Sequence, residues 1–232
     1  MIFAAFGRAL SQATDPRFLR VLGLGIGLTL GLLIAVTAVF LWGINWLLPE
    51  TFSLPLVGEI SWVDDIASVG FVLLMIVLSV FLMVPVASAF TGIFLDGVAA
   101  AVEARYYPHL PDVTPVPISD QIRDSLGFLA VIIAANLVAL VLYFFVGPFA
   151  PLLFWLVNGF LLGREYFQLV AMRRLGREGA VAARRRHMPV IWMAGTLMAM
   201  PLSVPIVNLL IPVLGAATFT HIFHALERSG RA

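Results

Sequence analysis

Thirty-nine consecutive residues, Ser125 to Gly163, carry no charge, and Gly147-Pro148-Phe149-Ala150-Pro151 interrupts their middle. As one straight helix the run would be about 58 Å long. The hydrocarbon core of a bilayer is about 30 Å thick. A single crossing cannot hold it, so the run is expected to fold back at the Gly/Pro cluster as two helices. Irregular backbone at such depth has to be shielded by protein or to line a watery cavity. The chain therefore reads as an all-α integral membrane protein with broken helices.

Composition agrees. Hydrophobic residues make up 61% and charged residues 12% of the 232-residue chain, against roughly 45–50% and 25% in soluble domains. One membrane domain, 1–232, is expected. The net charge of +1 argues for no nucleic-acid partner. The chain has no cysteine, which excludes disulfides, thiolate metal sites and a cysteine nucleophile. All fourteen basic residues are arginine. The apolar run after Arg8, Arg17 and Arg20 is far longer than the h-region of a cleaved signal, so none is expected.

Residues 1–20 read as an interfacial amphipathic helix, with Phe3, Phe6 and Leu10 on one face. Asp15-Pro16 marks the start of the next helix, Asp15 as N-cap and Pro16 at N1. Residues 21–49 form a first long helix. Its Gly23, Gly27 and Gly31 make a small-residue ladder for close helix approach. Residues 66–107 form a second, kinked at Pro85 and ending before Pro108. The Pro-rich stretch 108–117 is a connector, and Ser119 and Asp120 are candidate caps for the helix that follows. The runs 125–163 and 188–220 are both too long for one span and carry breakers near their centres. Both read as broken hairpins, separated by a basic loop at 164–187.

Charge orients this arrangement. Segments 1–20, 96–124, 164–187 and 221–232 fall on one side if each broken run returns to its starting face, and they hold every arginine. The loop at 50–65 holds Glu50, Glu59, Asp64 and Asp65 and no basic residue. Positive charge stays in the cytoplasm, so both termini are expected there.

No hydrolytic or redox constellation emerges, and neither an enzyme nor a cofactor is expected. His221 and His224 share a helical face, but no third metal ligand lies near in sequence, so interfacial histidines are expected. Glu103 and Glu165 sit at membrane boundaries. Each reads either as a carboxylate paired to arginine or as part of a pathway-lining salt-bridge network. Arg17 and Arg20 flank a helix start, where free N–H groups and the dipole favour an anion. Guanidinium groups grip oxyanions bidentately. The same arginines also serve as ordinary flanking charge. The Arg173–Arg186 block is read as a contact to anionic lipid phosphate or a topology signal. Asn208, between Pro205 and Pro212, either bonds helices together or lines a pathway.

The stretch from Pro205 through Asn208-Leu209-Leu210 and Pro212 to Ala217-Thr218 resembles the C-terminal signature of the CysZ sulfate permease family, within the etoposide-induced-protein superfamily. Glu165-Tyr166 before a basic segment, and Pro85, Phe90, Asp96 and Glu103 in order, are similar to further family features. The resemblance implies an inner-membrane sulfate uptake protein supporting sulfur assimilation. It also implies two long transmembrane helices, two partly penetrating helix hairpins and a homo-oligomer. Family members bind sulfate near the start of the first long helix. The aligned stretch here is Pro16-Arg17-Phe18-Leu19-Arg20, where Arg17 replaces a glycine and Leu19 an arginine. Arg17, Phe18, Leu19 and Arg20 are thus the expected anion site, and Glu103, Arg105, Glu165 and Asn208 the expected pathway residues.

The expected function is a permease or channel for sulfate or a related oxyanion. No ATP-binding motif occurs, so transport is expected to be passive or driven by an ion gradient. The alternative is a membrane scaffold or lipid-organising protein that transports nothing.

Overall fold

A computed structural model describes residues 1–16, 18–20, ten positions scattered between 23 and 43, 53–54, 58–59, 94–113, 115–203 and 210–229. Among these, regular structure is helical apart from a two-residue antiparallel ladder. It pairs Ser53–Leu54 (β1) with Gly58–Glu59 (β2) inside the acidic loop. The helices with defined ends are α1 (Ile2–Ser11), α2 (Asp96–Tyr106), α3 (Ile118–Val146), α4 (Ala150–Arg186), α5 (Met188–Ala199) and α6 (Ile211–Ser229).

Two glycines reverse the chain. Gly147 ends α3 at φ 46°, in the half of backbone space that L side chains avoid. Pro148 follows with no N–H to continue the ladder. A 3₁₀ turn at Gly147–Phe149 then leads into α4, which returns along α3. Gln168 Nε2 donates to Asp124 Oδ1 at 3.1 Å, tying the two limbs together. The second reversal is at Gly176, with φ 67° and ψ 179° inside α4. The limb after it runs back along the limb before it, and Arg184 Nε donates to Gln168 Oε1 at 3.1 Å across the gap.

The segment 164–187 is therefore not the loop that its charge suggested. It is helix on both sides of Gly176. Phe167, Val170 and Ala171 recur at helical spacing and are fully buried. Their burial outweighs the charge of the arginines, several of which leave from other faces.

Close packing joins α4 to the helix running through His187 into α5. A Cβ on Gly163 would lie 2.5 Å from the Ile191 carbonyl oxygen, and one on Gly195 would strike the Gly159 carbonyl oxygen. The backbones touch because no side chain separates them. At Gly23, Gly27 and Gly31, by contrast, nothing among the described residues comes within 4 Å of a Cβ. Helices that could approach this ladder, in 21–49 and 66–93, lie largely outside the described residues.

Other local expectations divide. Leu19 N–H donates to the Asp15 carbonyl at 3.0 Å, as a helix starting at Pro16 requires. Helix α2 ends at Tyr106, two residues before Pro108. Neither Ser119 nor Asp120 caps α3. Its N-cap is Pro117, without a side-chain cap, and Asp120 lies in the first turn, where a carboxylate meets the positive dipole end. Past Ala199 the chain tightens into a 3₁₀ turn, Met200–Ser203. Pro205 and Asn208 lie outside the described residues, so the centre of the 188–220 hairpin does too.

The core forms where α1, α2, α4 and α6 meet, around Phe18, Val98, Val102, Phe167, Val170, Phe219 and Ile222. Buried Ala5 and Ala9 seat α1 on α6. Helix α3 contributes almost nothing to this core. Its only buried residue is Ala139, and Phe144 and Phe145 are more than 80% exposed. An apolar surface of that extent is the kind that lipid or a partner covers. By length and composition, the stretch Ile118–Arg186 holds a segment able to cross a membrane.

Candidate functional site

The polar groups cluster beside this core rather than on α3. Leu95, Val98, Ala99, Val102 and Glu103 follow helical spacing and are all buried, so the core stripe of α2 carries Glu103 inward. Four donors meet it there. Arg174 reaches Oε1 through Nε at 2.9 Å and Oε2 through Nη2 at 2.6 Å. Arg173 Nη2 donates to Oε2 at 3.2 Å. His224 Nε2 lies 2.9 Å from Oε1. An ionised carboxylate has about four acceptor positions, and all are occupied.

Burial alone pushes the Glu103 carboxyl up. The hydrogen bonds from His224 and Arg174 and the charges of Arg173 and Arg174 outweigh it and hold the group at about 2. With Glu103 ionised, His224 Nε2 must carry the proton in that bond. A second layer locks these donors. Arg173 also pairs with Asp96, and Arg174 Nη1 donates to the Pro111 carbonyl at 2.6 Å. The Tyr107 ring lies 4.4 Å from that of His224, and its hydroxyl is 2.9 Å from His221 Nδ1. Burial pushes His221 down to about 4, with help from the charges of Arg8 and His224.

Two clefts flank this network. The larger, about 670 Å³, lies between the Pro-rich connector, the Gly176 turn and the end of α6. Arg173, Arg174, Arg177 and Arg228 line it, against Asp112, Asp120 and Glu227. The Nε of Arg177 is buried without a hydrogen-bond partner. The smaller, about 310 Å³, lies between α3 and α4 and carries Arg164 and Arg173 against Asp96, Asp124 and Glu165. Guanidiniums outnumber carboxylates in the first cleft, and carboxylates outnumber guanidiniums in the second. Arg177 and Arg228 are the guanidiniums of the larger cleft that the Glu103 network does not use.

A sequence model of the family described as sulfate transporter CysZ/etoposide-induced protein 2.4 matches residues 5–212. The chain belongs to this family. No curated protein matches it. The family's description points to a membrane protein of sulfate transport, a family of transporters rather than enzymes.

Within this CysZ-type chain the residues expected from sequence scatter. Arg17 and Asn208 lie outside the described residues. Phe18 is 1% exposed and packs in the core, whereas Leu19 and Arg20 are exposed. Arg105 points away from Glu103 and forms an exposed ion pair with Asp15 at 3.5 Å. Glu165 lines the smaller cleft. Phe18, Leu19, Arg20 and Arg105 line neither cleft.

Sequence reasoning missed Arg173, Arg174 and Tyr107 as parts of the network, and it placed the two histidines at an interface. His221 and His224 are instead buried, at 2% and 6% exposure. Signals existed for both. The Phe167-Val170-Ala171 stripe makes 164–175 a helix, which turns Arg173 and Arg174 toward a neighbour. Apolar Phe219, Ile222, Phe223 and Leu226 enclose the histidine pair in a core-facing helix.

Proposed function

We propose that this chain is a permease or channel for sulfate or a related oxyanion in the bacterial inner membrane, with both termini cytoplasmic, and that it supplies sulfur assimilation. The observation that carries this reading is the guanidinium-rich cleft at the foot of a long apolar helical hairpin. Tetrahedral oxyanions suit the planar fork of arginine. Glu103 consumes all its acceptor capacity in holding Arg173, Arg174 and His224. Its role is to position the arginines, not to meet the anion. Arg177, with its unpartnered buried Nε, is the group best placed to receive one.

Capture begins at the helix start after Asp15. Arg17 and Arg20 hold the anion there, Phe18 anchors the helix in the core, and exposed Leu19 bounds the site. Arg105 steadies the same helix start through Asp15. Asn208 serves a later step of the route. The arginines of the second α4 limb contact anionic lipid, and the apolar face of α3 meets lipid and neighbouring copies in a homo-oligomer. The family description supports sulfate as the cargo.

Flux of radiolabelled sulfate into proteoliposomes tests the proposal. Wild-type protein should conduct, and the Arg17→Ala/Arg20→Ala double variant should lose about tenfold or more, as expected for two lost charged contacts. Absence of flux in folded wild-type protein, together with dependence of its stability on anionic lipid, would replace this reading with a scaffold or lipid-organising role.

A further inference from the structure

The smaller cleft has a charge pattern that an oxyanion does not complement. Arg173 is already committed to Glu103 and Asp96. That leaves Arg164 beside Asp124 and Glu165 in the lining, with the charges of Arg184 and Arg177 reaching Asp124 from beyond it and none of them serving Glu165. An oxyanion entering here would sit beside Glu165, which has no guanidinium of its own.

Both signs nonetheless have unused capacity. Nη1 of Arg164 is buried without a hydrogen-bond partner, and its guanidinium is held over the Phe128 ring at 5.1 Å. Glu165 makes no hydrogen bond or ion pair among the described residues. Asp124 accepts one hydrogen bond, from Gln168, and keeps further acceptor capacity. A buried donor and a lone carboxylate that share a cleft without meeting each other both carry a cost that a ligand can relieve. A cation would leave Arg164 unpaired, and an anion would leave Glu165 unpaired.

We propose that this cleft binds a small zwitterion, an α-amino acid with a short uncharged side chain. Its carboxylate pairs with Arg164 and its ammonium with Glu165 and Asp124. The apolar lining from Val116, Leu169 and Met172 takes the side chain. A volume of about 310 Å³ admits such a ligand. Because Arg173 lines both clefts, an occupant here touches the residue that Glu103 fixes beside the larger one. This gives the ligand a direct contact with the arginine layer, so binding can be coupled to anion passage. Binding itself does not rest on the oxyanion reading.

Full-length protein in detergent or nanodiscs is titrated with L-alanine, propionate or ethylamine, following thermal unfolding and calorimetry. The latter two are alanine without its ammonium and without its carboxylate. L-Alanine should raise the unfolding temperature in a saturable way, and neither single-charge analogue should match it. Arg164→Gln and Glu165→Gln should each weaken alanine binding by about tenfold or more, and Glu178→Gln, at an exposed residue that lines neither cleft, should leave it unchanged. Glu165→Gln keeps the side chain's shape, so a folded variant remains available if Arg164→Gln does not fold. Stabilisation by propionate or ethylamine equal to that by alanine, no response to alanine, or alanine binding unchanged in Glu165→Gln would each overturn the proposal. Sulfate flux, measured separately, stands or falls on its own.

Discussion

Arg174 grips Glu103 with both Nε and Nη2, at 2.9 and 2.6 Å, across 71 residues of chain. This bidentate contact closes the structure in a way that burial of apolar groups cannot. It fixes the helical register of α4 against α2, and with His224 it fixes α6 against both. A guanidinium held in a planar fork loses little further freedom, so the geometry is specific as well as favourable.

Removing the hub should therefore cost more than removing any one donor. Glu103→Ala takes the shared carboxylate from Arg173, Arg174 and His224, leaving Arg173 only Asp96 and Arg174 only the Pro111 carbonyl. Breaking a buried ion pair from one side costs about 3–5 kcal/mol. Glu103→Ala should lower the unfolding temperature well below that of His224→Gln, which removes one of the four contacts. Equal shifts for the two would show that Glu103 is not the hub.

The acid limb of stability should carry an upper step from His221 and a lower one from Glu103, the upper one opposed by Glu165, which burial pushes up to about 7. His221 is held at about 4 in the folded protein against an ordinary 6.5. The unfolded chain therefore takes up a proton that the folded one refuses, and stability is lost as pH falls from about 6.5 toward about 4. Glu103 is held at about 2 against 4.5. Its contribution is complete above pH 4.5 and is lost as pH falls toward 2. Denaturation measured across this range should show the upper step vanish in His221→Gln while the lower step persists. An upper step that survives this substitution would assign it to another group.

How much of this was legible depends on the kind of force involved. The break at Gly147-Pro148 follows from backbone chemistry alone and could be read locally. The end of α2 before Pro108 could be read for the same reason. The helical reversal at Gly176 could not, because seven nearby arginines gave the segment the look of a solvated loop. Its apolar stripe of Phe167, Val170 and Ala171 decided the matter through contacts with α6, which only tertiary packing supplies. The Glu103 network was harder still. Asp96 and Glu103 were visible as boundary charges, but their arginine partners lie seventy residues or more away, and nothing local names one among fourteen.

The paired helices α4 and α5 should discriminate sharply among glycines. Gly195→Ala puts a methyl into the Gly159 carbonyl, a backbone atom that cannot step aside. Overpacking of this kind costs about 1–3 kcal/mol, with more where backbone must shift. Gly127, in the exposed part of α3, has nothing within 4 Å of an added Cβ. Gly127→Ala should be neutral or should stabilise by up to about 1 kcal/mol through helix propensity. If both variants unfold at the same temperature, the close α4–α5 contact is not present in the folded protein.

Arg177 separates anion binding from stability. It makes no ion pair among the described residues, and its Nε is buried without a partner in the larger cleft. Arg174, by contrast, spends three nitrogens on Glu103 and Pro111. Arg177→Gln should thus leave the unfolding temperature without sulfate nearly unchanged, and it should cut the sulfate-dependent rise in that temperature. The weakening expected for one charged contact is about tenfold in apparent affinity. Arg174→Gln should lower the baseline itself, because it strips two of the four bonds from a buried carboxylate. A full sulfate response in Arg177→Gln would move the anion away from this cleft and toward the Arg17–Arg20 helix start.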